Sequence, residues 1–302
     1  MKNHIGFSQR KQEIVTGVAF VFPALIYMLS LIGYPIIYNI VLSFQNVSAL
    51  NLAPGLARPF IGLDNYRAVF GDETMLYAIK NTLFYTVCSL FLQFPLGLAL
   101  ALLLNKKFAV AKPIRGFLVV SWIMPITVTA LLFRFMLSPN GIIDALLISL
   151  GIIEQPVGWL LNQNTAIWGP IIANAWIGIP FNMLLLTTGL SGIPEDVYES
   201  ASIDGANALV KFVHITLPLL RPAMLSVLIL GFVYTFKVFD LIFVMTGGGP
   251  VYATEVLATL SYKYSFKFYN FGQGAAVANV LFLMLFCVAM VYLELINKEE
   301  SM

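Results

Sequence analysis

At 302 residues, with 59% hydrophobic and only 11% charged side chains, the chain falls far below the roughly 25% charge of a soluble domain. A net charge of +2 excludes the strong basic field that a nucleic-acid partner needs. Cys88 and Cys287 each sit inside an apolar run, and His4 and His214 lie far apart, which excludes a disulfide framework or a metal site.

In chain order, Lys2, Arg10 and Lys11 precede an apolar run that opens near Ile14 and stays uncharged to Arg58. A signal-peptide core spans only about 7–15 residues, so the run predicts an uncleaved first transmembrane helix. A span needs about 20 mostly apolar residues. Six stretches qualify: 14–44, 80–104, 114–137, 165–191, 222–246 and 271–295. Lipid offers no partner to a bare backbone, so each is predicted as a helix. Pro23 and Pro35 predict a tilt or kink in the first. The fold class is all-α: one six-helix membrane domain, 14–295, between an N-terminal stretch 1–13 and a tail 296–302.

Orientation follows from basic residues. Lys2, Arg10, Lys11, Lys106, Lys107, Lys112, Arg115, Lys211, Arg221 and Lys298 fall on one side, ten of the 17. Both termini and the loop 192–221 are therefore expected in the cytoplasm. Three segments face outward: 45–79 with Gly62-Leu63-Asp64-Asn65-Tyr66, 138–164 with an amphipathic stretch Ile142–Ile153 before Trp159, and 247–270, which opens on Gly247-Gly248-Gly249-Pro250.

The loop 192–221 reads as a knob. Pro194 ends the fourth span. Glu195 and Asp196 suit a first helical turn, and a short helix should run to about Asp204. Gly205 permits a turn. A second short helix should run to about His214, with Pro218 and Pro222 stopping it before the fifth span. Small residues Ala201, Gly205 and Ala206 let a partner backbone come close.

The run Glu199-Ser200-Ala201-Ser202-Ile203-Asp204-Gly205-Ala206 resembles the E-A-A-x(3)-G loop of ABC-importer permeases, with Ser200 in place of the usual alanine. The resemblance implies the binding-protein-dependent, type I importer (MetI-like) permease fold. It also implies that Glu199, Ser200, Ala201, Asp204, Gly205, Ala206 and Pro218 couple the chain to an ATPase. No G-x(4)-G-K-[ST] loop occurs, so no catalytic residue or cofactor is assigned to this chain. ATP and Mg would belong to the partner. The Gly62–Tyr66 segment, Trp176, Pro180-Phe181, Phe239-Asp240 and Thr246–Pro250 resemble the carbohydrate branch, as the first of two permease subunits in maltose- and glycerol-phosphate-type pairs. The implied partners are a second homologous permease, a dimer of cytoplasmic ABC ATPases, an extracellular or periplasmic solute-binding protein and a carbohydrate ligand. The implied location is a prokaryotic inner or plasma membrane.

Asn174, Ile177, Gly178 and Phe181 fall at i, i+3, i+4 and i+7, as do Gly231, Tyr234, Thr235 and Val238. Each set shares one helical face. Amides and hydroxyls suit sugar hydroxyls, aromatic rings suit a pyranose face, and glycines make room. In maltose-type permeases the matched positions line the substrate cavity. Ordinary helix packing is the other reading of the same faces. Lys237 and Asp240, at i, i+3, are predicted to pair within the fifth span, on a face opposite Tyr234 and Thr235. A structural pair, a contact to the partner permease, a gate and an anionic solute such as a sugar phosphate or acidic oligosaccharide all stay open there. Gln93, Asn182 and Asn279 are expected to make interhelical hydrogen bonds. Paired discontinuous helices and inverted repeats, the marks of an ion-coupled carrier, are not found in the sequence.

Overall fold

The computed structural model describes the backbone of residues 7–300 apart from 54 and 107, and side chains from Ile14 to Glu294 and at Ile296, the same two residues excepted. The predicted terminal stretches 1–13 and 296–302, with the side chains of Lys2, Arg10, Lys11 and Lys298, therefore lie partly or wholly outside the described residues, as does Lys107 between the second and third spans.

Helices carry the regular structure of the described residues. The first span combines α1 (Phe7–Met28), a π turn at Leu29–Gly33 and α2 (Tyr34–Ser43). The π turn directly precedes Pro35, which stands at the head of α2 in a helix that runs on from Ile14 to Ser43. Short α3 (Asp64–Phe70) leads to α4 (Glu73–Leu104), the second span. The third span is α5 (Ala111–Ile123) followed by α6 (Ile126–Met136), and α7 (Ile142–Ser149) follows. Next come α8 (Trp168–Ser191), α9 (Glu195–Ile203), α10 (Ala208–Lys211), α11 (Leu217–Phe236), α12 (Asp240–Met245), α13 (Leu257–Tyr262) and α14 (Phe271–Glu300). Among the described residues five helices are long and apolar enough to cross a bilayer, and the α5–α6 pair counts as a sixth if the two bent halves form one span.

Three expectations need correction. The stretch 114–137 is not one helix: α5 and α6 meet at a 94° bend. Met124 is extended (φ −61, ψ 139) because Pro125 disfavours helix in the residue before it. The fifth span also breaks, at Lys237–Phe239, between α11 and α12. Finally, Pro218 and Pro222 do not stop the second loop helix. Ala208–Phe236 runs on as one 29-residue rod. A π turn at Phe212–Thr216, where the helical register shifts, directly precedes Pro218 at the head of α11.

Helix α4 packs against α8 at Gly97, whose Cβ would stand 2.6 Å from the Asn182 Cβ. Likewise α8 meets α11 at Gly189, beside Ala223 and Leu220. The Gly62–Tyr66 segment ties the first span to the last. Asn65 Nδ2 donates to the Ser43 and Gln45 carbonyls, at 2.8 and 2.9 Å. Asn279 Nδ2 donates to the Tyr66 hydroxyl (3.1 Å), while Asn39 Nδ2 donates to Asn279 Oδ1 (2.7 Å). Buried Asp144 accepts from Trp159 Nε1 (2.6 Å) and the Val157 N–H (3.0 Å), which folds the 138–164 segment onto itself.

Asp72 caps α4. It accepts from the Thr74 N–H (2.9 Å) and from the Tyr264 hydroxyl (2.7 Å). Partial burial pushes its carboxyl up, but the bonds from Tyr264 and Thr74 outweigh that and hold it below the ordinary aspartate value. A lowered folded pKa stabilises above the ordinary carboxylate range, and the benefit is lost as pH falls through the folded value. Asp72→Ala is expected to cost about 1 kcal/mol, seen as a lower melting temperature whose deficit fades in acid.

Candidate functional site

A cavity of about 320 Å³ opens where α4, the α5–α6 bend, α8 and α11 meet. Its lining includes all eight residues of the two predicted faces: Asn174, Ile177, Gly178 and Phe181 from α8, and Gly231, Tyr234, Thr235 and Val238 from α11 and its break. Gln93, Trp122 and Ile126 complete the wall. Non-helical backbone at membrane depth is tolerated where it lines a cavity, and both breaks lie beside this one. Trp122 and Ile126 flank the first, and Thr235 and Val238 adjoin the second.

The lining combines the rings of Trp122, Phe181 and Tyr234 with the amides of Gln93 and Asn174. Trp122 and Phe181 lie 5.7 Å apart, and Phe181 meets Tyr234 edge-on at 6.0 Å. Tyr234 is 60% exposed, so its ring is presented rather than packed away. Asn174 Nδ2 reaches the Thr235 hydroxyl at a long 3.4 Å. The three side-chain amides expected to bond between helices, Gln93, Asn182 and Asn279, diverge. Asn279 makes the expected interhelical bonds, whereas buried Gln93 Nε2 and Asn182 Nδ2 find no partner among the described residues. A buried donor left unpaired costs about 1–3 kcal/mol. Sequence reasoning missed Gln93, Trp122 and Ile126 as lining residues. The X-Pro step at Met124-Pro125 and a lone glutamine in an apolar run were the signals for them.

Lys237 and Asp240 do not pair as predicted. They sit on either side of the break rather than on one helix, both exposed, and among the described residues neither makes an ion pair. Lys237 caps the C-terminus of α11 and Asp240 opens α12. Each charge therefore meets the helix end whose dipole suits it. The face assignment is corrected too: the Lys237 ammonium lies over the Tyr234 ring, 5.5 Å from its centroid.

The loop forms a second feature, a helix–turn–helix knob. Pro194 precedes α9, and Glu195 and Asp196 fill its first turn. Gly205 adopts φ +79, which a side chain would resist, and the Ala206 N–H closes the turn on the Ala201 carbonyl (2.9 Å). Asn207 caps α10 by accepting from the Val210 N–H (2.9 Å). Tyr198 bonds Thr216 (3.0 Å) and holds α9 against the rod. Glu199, Ser200, Asp204 and Gly205 are exposed, while Ala201 and Ala206 are half-buried beneath them. Pro218 is exposed on α11, beyond the π turn. Ile203 and Leu209 are 87% and 69% exposed, an apolar tip on a polar knob.

Residues 93–297, from Gln93 through the knob to the last span, match the model of the family described as "Binding-protein-dependent transport system inner membrane component". Over 295 residues the chain is 32% identical to the trehalose/maltose transport system permease protein MalF of Thermococcus litoralis, covering 97% of this chain and 98% of the relative. It is 33% identical to the sulfoquinovosyl glycerol transport system permease protein SmoG of Agrobacterium fabrum, covering 92% and 89%. The fold superposes on a chain from the crystal structure of a bacterial ABC transporter that imports the acidic polysaccharide alginate. That match has a TM-score of 0.80, 22% identity and coverage of 96% of this chain and 99% of that one. With a family match over two thirds of its length and relatives similar from end to end, the chain belongs to the inner membrane components of binding-protein-dependent transport systems.

Proposed function

We propose that this chain is one of two membrane subunits of an ATP-driven importer, and that a sugar or oligosaccharide handed over by a soluble binding protein passes through the α4–α6–α8–α11 cavity. The observation that carries this reading is the convergence of two separately spaced helical faces on one cavity with aromatic and amide walls. Ligand pockets start at about 300 Å³, and a pathway shared with a second, homologous permease would be larger. The trehalose/maltose and sulfoquinovosyl glycerol relatives support the carbohydrate class. The knob Glu195–Lys211 would dock in a cleft of a cytoplasmic ATPase dimer, which binds ATP and Mg and supplies the hydrolysis. The basic residues support cytoplasmic termini, with the Gly62–Tyr66 and Gly247–Pro250 segments facing the binding protein.

A second reading, that the solute is acidic, is favoured by Lys237 above the exposed ring of Tyr234. The test is uptake into liposomes by the chain assembled with its genomic neighbours. The panel is trehalose, maltose and an alginate oligosaccharide, with a neutral amino acid as control. Saturable uptake of a panel sugar supports the reading, an alginate winner selects the acidic form, and uptake of the amino acid alone overturns both. Tyr234→Ala is expected to raise the half-saturating sugar concentration about tenfold, the size of one lost aromatic contact of about 1.4 kcal/mol.

A further inference from the structure

We infer that Gln93 is a specificity-determining contact whose side-chain amide grips a hydroxyl of the transported sugar. The inference rests on the reading that a sugar passes through this cavity. Gln93 belongs to α4, outside the two helical faces on α8 and α11.

Three observations converge on it. Gln93 lines the cavity and is only 3% exposed, yet among the described residues its Nε2 has no hydrogen-bond partner. Its amide is also fitted against a gap made for it. A Cβ on Gly178, itself a lining residue, would collide with Gln93 Oε1 and Cδ. Finally, the neighbouring amide does not use it: Asn182, one turn beyond Gly178, keeps its own Nδ2 unpaired. An interhelical strut looks different in this molecule, as the chain Asn39 to Asn279 to Tyr66 shows.

The chemistry that completes such a group is a hydroxyl. A pyranose stacked on Tyr234 or Trp122 keeps its hydroxyls off the ring faces, free to meet an amide of the same lining. A hydroxyl both donates and accepts, so it satisfies the amide whichever end faces it. Apolar solutes would leave the amide bare. Sites built to bond a hydroxyl discriminate sharply against analogues that lack it, so Gln93 would read the presence of one hydroxyl.

The test uses the whole transporter in liposomes with the panel sugar that wild type imports, its monodeoxy analogues, and three variants: Gln93→Met, Gly178→Ala and Tyr234→Ala. Gln93→Met keeps length and removes the amide. Gly178→Ala pushes the flexible end of Gln93 aside. Both are expected to raise the half-saturating concentration about tenfold. Both should also erase the penalty that wild type shows for one particular deoxy analogue. The melting temperature of Gln93→Met should be unchanged or raised, since an unpaired buried amide is lost. A lowered melting temperature with an unaltered deoxy profile identifies a strut and overturns the inference. A shift in Tyr234→Ala without one in Gln93→Met overturns this inference alone and leaves the cavity reading standing. If no panel sugar is imported, both fall together.

Discussion

Lys263→Met is expected to destabilise the folded permease by about 3–5 kcal/mol, because it strands a buried carboxylate. Glu255 has no solvent exposure, and Lys263 forms an ion pair with it. The pair sits under the Gly247–Pro250 turn, where Gly248 adopts φ +88 and a Cβ would collide with the Glu255 carboxylate. The triple glycine is therefore the roof of a buried charge. Asn81 fastens the same loop to α4, donating to the Tyr252 and Glu255 carbonyls at 2.9 and 3.0 Å. Burial pushes the Glu255 carboxyl above its ordinary value, against the pull of Lys263, Thr259 and Lys267. Removing Lys263 takes away the largest of those pulls and lets the folded value climb further. A raised folded pKa favours the folded state at low pH, and the benefit is lost as pH rises through it. The variant should thus melt lower at about pH 8 than at about pH 5.5, with the wild type changing less. Equal melting at both values would mean that Glu255 is not stranded. Gly248→Ala should damage the same loop at either pH.

Glu199→Lys is expected to abolish coupling while leaving the membrane domain intact. Glu199 is exposed on α9, away from the half-buried Ala201 and Ala206 that shape the knob, so the fold has little stake in its charge. If the knob docks on an ATPase, reversing a charge there should cost about 2–5 kcal/mol, a loss of about 30-fold or more in receptor-stimulated hydrolysis. Melting of the isolated permease chain should not move. Wild-type stimulation in the variant would remove the knob from the coupling path.

Much of the architecture was written in residue spacing. Long apolar runs located the spans, and two i, i+3, i+4, i+7 sets brought eight residues to one cavity, because a helix face survives any tertiary arrangement. The breaks were harder. Pro125 marks the first, but a long uncharged stretch on both sides of it imitates one continuous span. The second has neither proline nor glycine at Lys237–Phe239. Only the charges hint that one helix ends and another begins, and the i, i+3 spacing suggested a pair instead. Pro218 and Pro222 misled in the opposite sense, since a π turn upstream cannot be seen in composition. The orphan amides of Gln93 and Asn182 lay beyond sequence altogether. An intramembrane amide predicts a hydrogen bond, but whether a partner faces it depends on Gly178 and Gly97 setting the α4–α8 separation.

The most direct test of the central claim is ATP hydrolysis by the complete transporter in liposomes, with its soluble receptor added empty or loaded with the panel sugars. Stimulation is expected from the loaded receptor alone, lost in Glu199→Lys and shifted to higher sugar concentration in Tyr234→Ala. Hydrolysis that ignores the loaded receptor, or a chain that recruits no ATPase, would contradict it.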